Sequence, residues 1–221
     1  MFRNRLHLLL PTTAWIAGVS AMPTGTTDAV PPAIATGAIT RSGAQGVELR
    51  PLRPDDSAAV LAVFAGMGTH SRELRFLALK TRLTEADVRH LTGVDGRNHV
   101  GVLAVARPDR PIGIARLIRD HVDHDLAEVA VEVVDEWQDR GVGAELLLEL
   151  RQRAVDADVR RFKVFVSPDN SAVHRLLARM PGAVTMLSTD RWTTEYLVWL
   201  DRWAPISFRA SAGTCGIVAS G

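Results

Sequence analysis

Two kinds of residue in this chain could do chemistry together: acidic side chains on a strand-like run, and glycines in a turn just after it. The run Ala127-Glu128-Val129-Ala130-Val131-Glu132-Val133-Val134 is rich in β-branched residues. Period-two alternation puts Glu128, Ala130, Glu132 and Val134 on one face and directs Ala127, Val129, Val131 and Val133 into a core. Carboxylates four residues apart on a strand stand roughly 13 Å from each other. They cannot act as a paired acid and base on one atom. One of the two is therefore a candidate general base, and spacing alone leaves both open.

The turn reads Gln138-Asp139-Arg140-Gly141-Val142-Gly143-Ala144, and a helix pattern follows it, with Val142, Leu146, Leu147, Leu150 and Ala154 on one face. A strand that feeds a glycine turn into a helix N-terminus aims free backbone N–H groups at one point. Together with the positive end of the helix dipole, these bind phosphate. A Cβ at Gly141 or Gly143 would obstruct a ligand's approach to the backbone. The spacing differs from Gly-x-Gly-x-x-Gly, and no Gly-Lys-Ser/Thr is present, which sets aside the common dinucleotide and P-loop patterns.

The elements that must hold these residues alternate along the chain. Residues 47–52 read as a strand, and Asp55 or Asp56 caps a helix to about Met67. An amphipathic stretch follows at 71–79, and Thr84 with Asp87 begins another short helix. His99–Ala106 and Ile112–Ile118 form a hairpin. Residues 161–166 alternate basic and apolar side chains. Asp169 or Asn170 opens a helix to about Met180, closed by Pro181-Gly182. A last strand covers 192–199. His121 and His124 lie among Asp120, Asp123 and Asp125, a polar loop that reads as solvated rather than metal-binding.

With 26 basic and 25 acidic residues in 221, and no block of like charge, nucleic acid and anionic membrane are poor partners for this chain. A single cysteine, Cys215, rules out an internal disulfide framework and fits a reducing compartment. Residues 1–45 are expected to be a flexible extension. Its start (Arg3, Arg5, Leu8–Leu10, Val19-Ser20-Ala21) mimics a signal peptide, yet it is interrupted and too short to span a bilayer. A signal and an overlong start both remain open. Residues 201–221 read as a tail.

The string Gln138-x-x-Gly141-x-Gly143-Ala144 after a Glu-bearing strand resembles the pyrophosphate-binding motif of the GNAT superfamily of N-acetyltransferases. Ala127-Glu128-Val129-Ala130 is most similar to the bacterial protein lysine acetyltransferases within it. The resemblance spans residues 46–200. It implies an α/β (α+β) fold, with a mixed central sheet of six to seven strands flanked by about four helices. It further implies acetyl-CoA as co-substrate, no metal, a cytoplasmic setting, and an amine acceptor that is a protein lysine or a small molecule. Glu128 is the implied base, with Glu132 the alternative. Implied cofactor-binding residues are Val131, Glu132 and Val133 through their backbone, the turn Gln138, Asp139, Arg140, Gly141, Val142, Gly143 and Ala144, and Asn170. Ser71, Arg75 and Phe76 resemble a segment beside the acceptor groove. Many relatives carry a Tyr where this chain has Leu177, which cannot protonate a departing thiolate. A non-catalytic acyl-CoA sensor is thereby a second reading.

Overall fold

Continuous apolar strands imply a sheet covered on both faces, and HVGVLAVA is such a strand. In the computed structural model, which describes residues 40–41, 46–180 and 183–203, it forms β3 (His99–Ala106), buried along nearly its whole length. Before it come β1 (Thr40–Arg41), β2 (Val47–Pro51), and three helices: α1 (Ser57–Gly66), α2 (Thr69–Phe76) and α3 (Glu85–Thr92). After it come β4 (Arg110–Arg119), β5 (Leu126–Val133), α4 (Val142–Asp156), β6 (Arg161–Val166), α5 (Ser171–Ala178), β7 (Val184–Thr189) and β8 (Thr194–Trp199).

The strands make one mixed sheet in the order β1-β2-β3-β4-β5-β6-β8-β7, antiparallel except where β5 meets β6. Among the described residues there are eight strands and five helices. The additions to the expected count are the two-residue β1 and β7. β7 shows no alternating apolar pattern because five of its six residues are exposed. The extension and tail expected at 1–45 and 201–221 lie outside the described residues, apart from Thr40, Arg41 and residues 201–203. Cys215 and the Pro181-Gly182 stop also lie outside them.

Local chemistry explains the helix starts. Thr84 Oγ1 accepts from Asp87 N at 3.1 Å, and the Asp87 carboxylate accepts from Thr84 N at 2.8 Å, a reciprocal capping box. Asp56 does stand at the N-cap of α1, but its side chain makes no capping bond. Its two oxygens instead accept from Arg50 at 2.7 Å each, and Oδ2 also accepts from Arg53 N. The bidentate guanidinium outcompetes the helix N–H groups for the carboxylate.

Burial raises the Asp87 pKa, but hydrogen bonds from Lys80 and Thr84 outweigh it and hold the carboxyl below its ordinary value. A depressed folded-state pKa gives stability that is present above the unfolded pKa and lost as pH falls through the folded one. Asp87→Ala should therefore cost about 1–2 kcal/mol in urea unfolding at neutral pH. The difference from wild type should narrow as pH falls below about 4.

β4 is packed by both α1 and α4, and a Cβ on Gly113 would meet Leu146 of α4, which sets the α4 face. The cross-strand partners Ile114–Glu132, Arg116–Ala130 and Ile118–Glu128 share the α1–α3 face. The opposite face carries Val129, Val131 and Val133, and a Cβ on Gly143 of α4 would lie 3.6 Å from Val133. The two faces read from the sequence of β5 are those of the fold, but Val131 and Val133 are only half-buried because they border the cleft, whereas Glu132 is buried.

Candidate active site

β5 and β6 start as neighbours and then part. Their pairing covers Leu126–Arg161, Ala127–Phe162 and Glu128–Lys163 only, although β5 runs on to Val133 and β6 to Val166. Beyond Glu128 the side of β5 that faces β6 therefore has backbone groups with no ladder partner, and such groups seek a ligand or water. A cleft of about 290 Å³ occupies the opening. It is walled by α2 on one side and α5 on the other, and it reaches Glu128, Val131, Glu132, Val133, Gln138, Asp139, Gly143, Ala144 and Asn170. Arg140, Gly141 and Val142 are outside its lining.

The turn before α4 depends on its glycine. Gly141 is the N-cap with φ +85°, a left-handed conformation that strains any L side chain, and open space surrounds the position where its Cβ would be. Asp139 is left-handed as well, with φ +57°. The N–H groups of Val142, Gly143 and Ala144 are those that a helix leaves without an intrahelical partner. The Val142 side chain is buried in the core, so only its backbone can serve a ligand.

Two side chains of this segment are already engaged. Gln138 Nε2 donates to Ser71 Oγ, to the Val133 carbonyl and to Asp135 Oδ1, each at 3.1 Å. Asp135 Oδ2 accepts from Gly68 N at 3.0 Å. Together these bonds fasten the start of α2, which has no buried residue of its own, to the segment that leads into the turn. Arg140 lies over the Trp137 ring at 5.1 Å, and Trp137 packs against the core. Asn170 caps α5, its Oδ1 accepting from Val173 N at 3.2 Å, while its amide remains beside the cleft.

The two strand carboxylates differ sharply. Glu132 is buried and shared by two guanidiniums, Arg116 of β4 and Arg75 of α2. The Arg75 Nε contact is 2.8 Å, at an angle that makes it an ion pair rather than a hydrogen bond. Arg116 is wholly enclosed. Burial pushes its pKa down to about 10, opposed by the Glu132 charge. Glu128 has no ion pair among the described residues. Burial raises its pKa above the ordinary carboxylate value, against the positive charges of Arg75 and Lys163. It is thus a half-buried carboxylate with raised proton affinity in a cleft, the arrangement that a general base requires.

Arg75 and Arg116 as partners of Glu132 escaped the sequence reading. The available signal was Arg116 inside the apolar run Ile112–Ile118. Leu177 is buried in the cleft wall. His174 bridges the Tyr196 hydroxyl at 2.9 Å and the Ser167 carbonyl at 3.1 Å, tying α5 to the sheet. In the polar loop, Asp120 accepts from Val122 N and Asp123 N, and Asp123 pairs with Arg161. Among the described residues no group of three or more His, Cys, Asp or Glu is placed to hold a metal, and no helix is long and apolar enough to cross a membrane.

Comparison with known proteins agrees with this geometry. The sequence pattern of the acetyltransferase (GNAT) family matches residues 70–181, just over half of the chain. Acetyltransferase Pat of Mycolicibacterium smegmatis is 32% identical over 137 residues, which are 62% of this chain and 40% of that protein. The chain therefore spans about two fifths of the length of this relative. The crystal structure of the GNAT domain of S. lividans PAT superposes with a TM-score of 0.63 at 26% identity, covering 69% of this chain and 90% of that one. The structure of yncA from Salmonella typhimurium with acetyl-CoA shares the fold, with a TM-score of 0.58 at 18% identity over 74% of this chain and 99% of that one.

Proposed function

Because the chain belongs to the GNAT family of acetyltransferases, we propose that it transfers an acetyl group from acetyl-CoA to a protein lysine by direct attack in a ternary complex. The observation that carries this reading is Glu128: a carboxylate without an ion pair among the described residues, of raised proton affinity, in the cleft that also reaches the start of α4. The free N–H groups of Val142, Gly143 and Ala144 suit a pyrophosphate. The edge of β5 beyond its ladder with β6, around Val131–Val133, suits the amides of a pantetheine arm, and the Asn170 amide stands beside it. Acetyl-CoA supplies the activated thioester.

Glu128 takes a proton from the incoming ammonium, directly or through water, and the neutral amine attacks. Leu177 donates nothing, so the sulfur leaves as thiolate or takes its proton from water. A protein acceptor is favoured over a small polycation by charge. Glu132 is already neutralised by Arg75 and Arg116, and the wall formed by α2 and the residue after it presents Leu74, Arg75, Phe76 and Leu77 rather than acids. The Ala127-Glu128-Val129-Ala130 string supports the same choice. Cell lysate incubated with the chain and labelled acetyl-CoA, then digested and analysed by mass spectrometry, should show label on lysine side chains. Label confined to small amines would overturn the acceptor, and no transfer at all would favour a sensor.

A further inference from the structure

A second, small void of about 20 Å³ lies on the α1–α3 face of the sheet, and it shares Arg75, Glu128, Val129 and Ala130 with the cleft. Glu128 thus stands between the two spaces. The void is also lined by His90 of α3, His99 of β3 and Arg116 of β4. His90 Nε2, His99 Nε2 and Arg116 Nη1 are each buried without a hydrogen-bond partner among the described residues. His99 and Arg116 are more than nine-tenths buried as whole residues.

Strand register explains the convergence. His99 opposes Ile118, and Ile118 opposes Glu128, so the three share one rung and one face. His99 and Glu128 are two strand spacings apart, about 10 Å between backbones. That distance is too great for a direct bond and leaves room above Ile118. The His90 ring is 6.0 Å from that of His99.

Buried polar atoms need partners, and a water requires about 10–15 Å³ and two to four polar neighbours. We propose that this void binds one water, and that the water, with His90, carries away the proton that Glu128 accepts. The proposal rests on the acetyl-transfer reading above. Acetylation of a protonated amine frees two protons from nitrogen: Glu128 takes the first from the ammonium, and the second passes to water, from which the departing thiolate takes its own, so one net proton leaves through Glu128. Glu128 then gives its proton to the water, the water gives one of its own to His90 Nε2, and the imidazolium returns a proton to solvent from the exposed side of α3. No bond other than O–H and N–H changes in this relay, and the charges balance.

The charges facing the void fit these roles. Arg116 Nη1 donates to the water. His99 has its other nitrogen toward the Gly93 carbonyl, which leaves Nε2 as an acceptor that orients the water. Burial lowers the pKa of both histidines, His99 to about 4, and the Arg116 charge adds to this. Arg75 from α2 also disfavours His90 cation, while Asp87 on α3 opposes that effect. Asp95 raises the His99 pKa, and Lys163 of β6 with Arg75 acts on Glu128. Glu132 is spent on its two arginines. Both rings are therefore neutral acceptors at neutral pH.

The test uses the full chain with acetyl-CoA and an amine acceptor that the chain acetylates. His90→Ala should lower kcat about tenfold, less than the ~10²–10⁴ of removing a direct acid–base group, with KM for acetyl-CoA unchanged. Added imidazole should restore kcat in His90→Ala but not in His90→Gln, whose amide fills the site without carrying a proton. Wild-type kcat in both variants, or a loss in His90→Ala that imidazole does not move, overturns the relay. A crystal structure of the full chain judges the water separately. Density within hydrogen-bond distance of Arg116 Nη1 and His99 Nε2 is expected, and an empty void overturns the site even if the chain transfers no acetyl group.

Discussion

Glu128→Gln should preserve the fold and acetyl-CoA affinity while cutting turnover by roughly 10²-fold or more near neutral pH. The amide matches the carboxylate in shape and cannot accept the ammonium proton. The penalty should shrink as pH rises, because a lysine amine with an ordinary pKa near 10.4 deprotonates in solution without help. Wild type should lose activity as pH falls through the raised Glu128 pKa, since the protonated carboxyl is no longer a base. The variant should lack that limb and show only the titration of its acceptor. Steady-state rates across pH on a confirmed acceptor measure both. Equal rates for wild type and Glu128→Gln at every pH would remove Glu128 from the mechanism.

Glu132→Gln should act on stability instead. Its carboxylate is the counter-charge of Arg116, which is fully enclosed, and of Arg75. Taking one partner from a buried ion pair leaves an uncompensated charge in a low-dielectric surrounding and costs about 3–5 kcal/mol. Denaturant unfolding of the variant at neutral pH should show a loss of that size, with a smaller effect on turnover of the folded fraction than Glu128→Gln has. A change below about 1 kcal/mol, the scale of an exposed pair, would mean that the triad is solvated. If Glu132→Gln proved the slower enzyme, the assignment of the base would pass to Glu132.

Patterns local in sequence were legible, and pairings distant in sequence were not. The alternation in 127–134 placed Glu128 and Glu132 on one face, and the Thr84–Asp87 spacing produced the capping box. The glycine turn reads directly as a helix N-terminus because Gly141 takes a conformation few other residues tolerate. The different fates of the two glutamates were hidden, since they depend on guanidiniums brought in by α2 and β4. The engagement of Gln138 with Ser71 was hidden for the same reason. β7 went unread because an exposed edge strand such as VTMLST carries no burial periodicity. The void behind Glu128 unites residues of α3, β3, β4 and β5, and only strand register brings them onto one rung.

Calorimetric titration of acetyl-CoA into the full chain, beside Gly141→Asp and Gly143→Asp, decides whether the turn before α4 holds the cofactor. Gly143→Asp puts bulk and negative charge in the first turn of α4, where the free N–H groups point. Gly141→Asp adds a side chain at φ +85° in the space left open beside them. The wild-type chain should bind saturably, and neither folded variant should bind. Unchanged affinity in both folded variants would contradict that role of the turn.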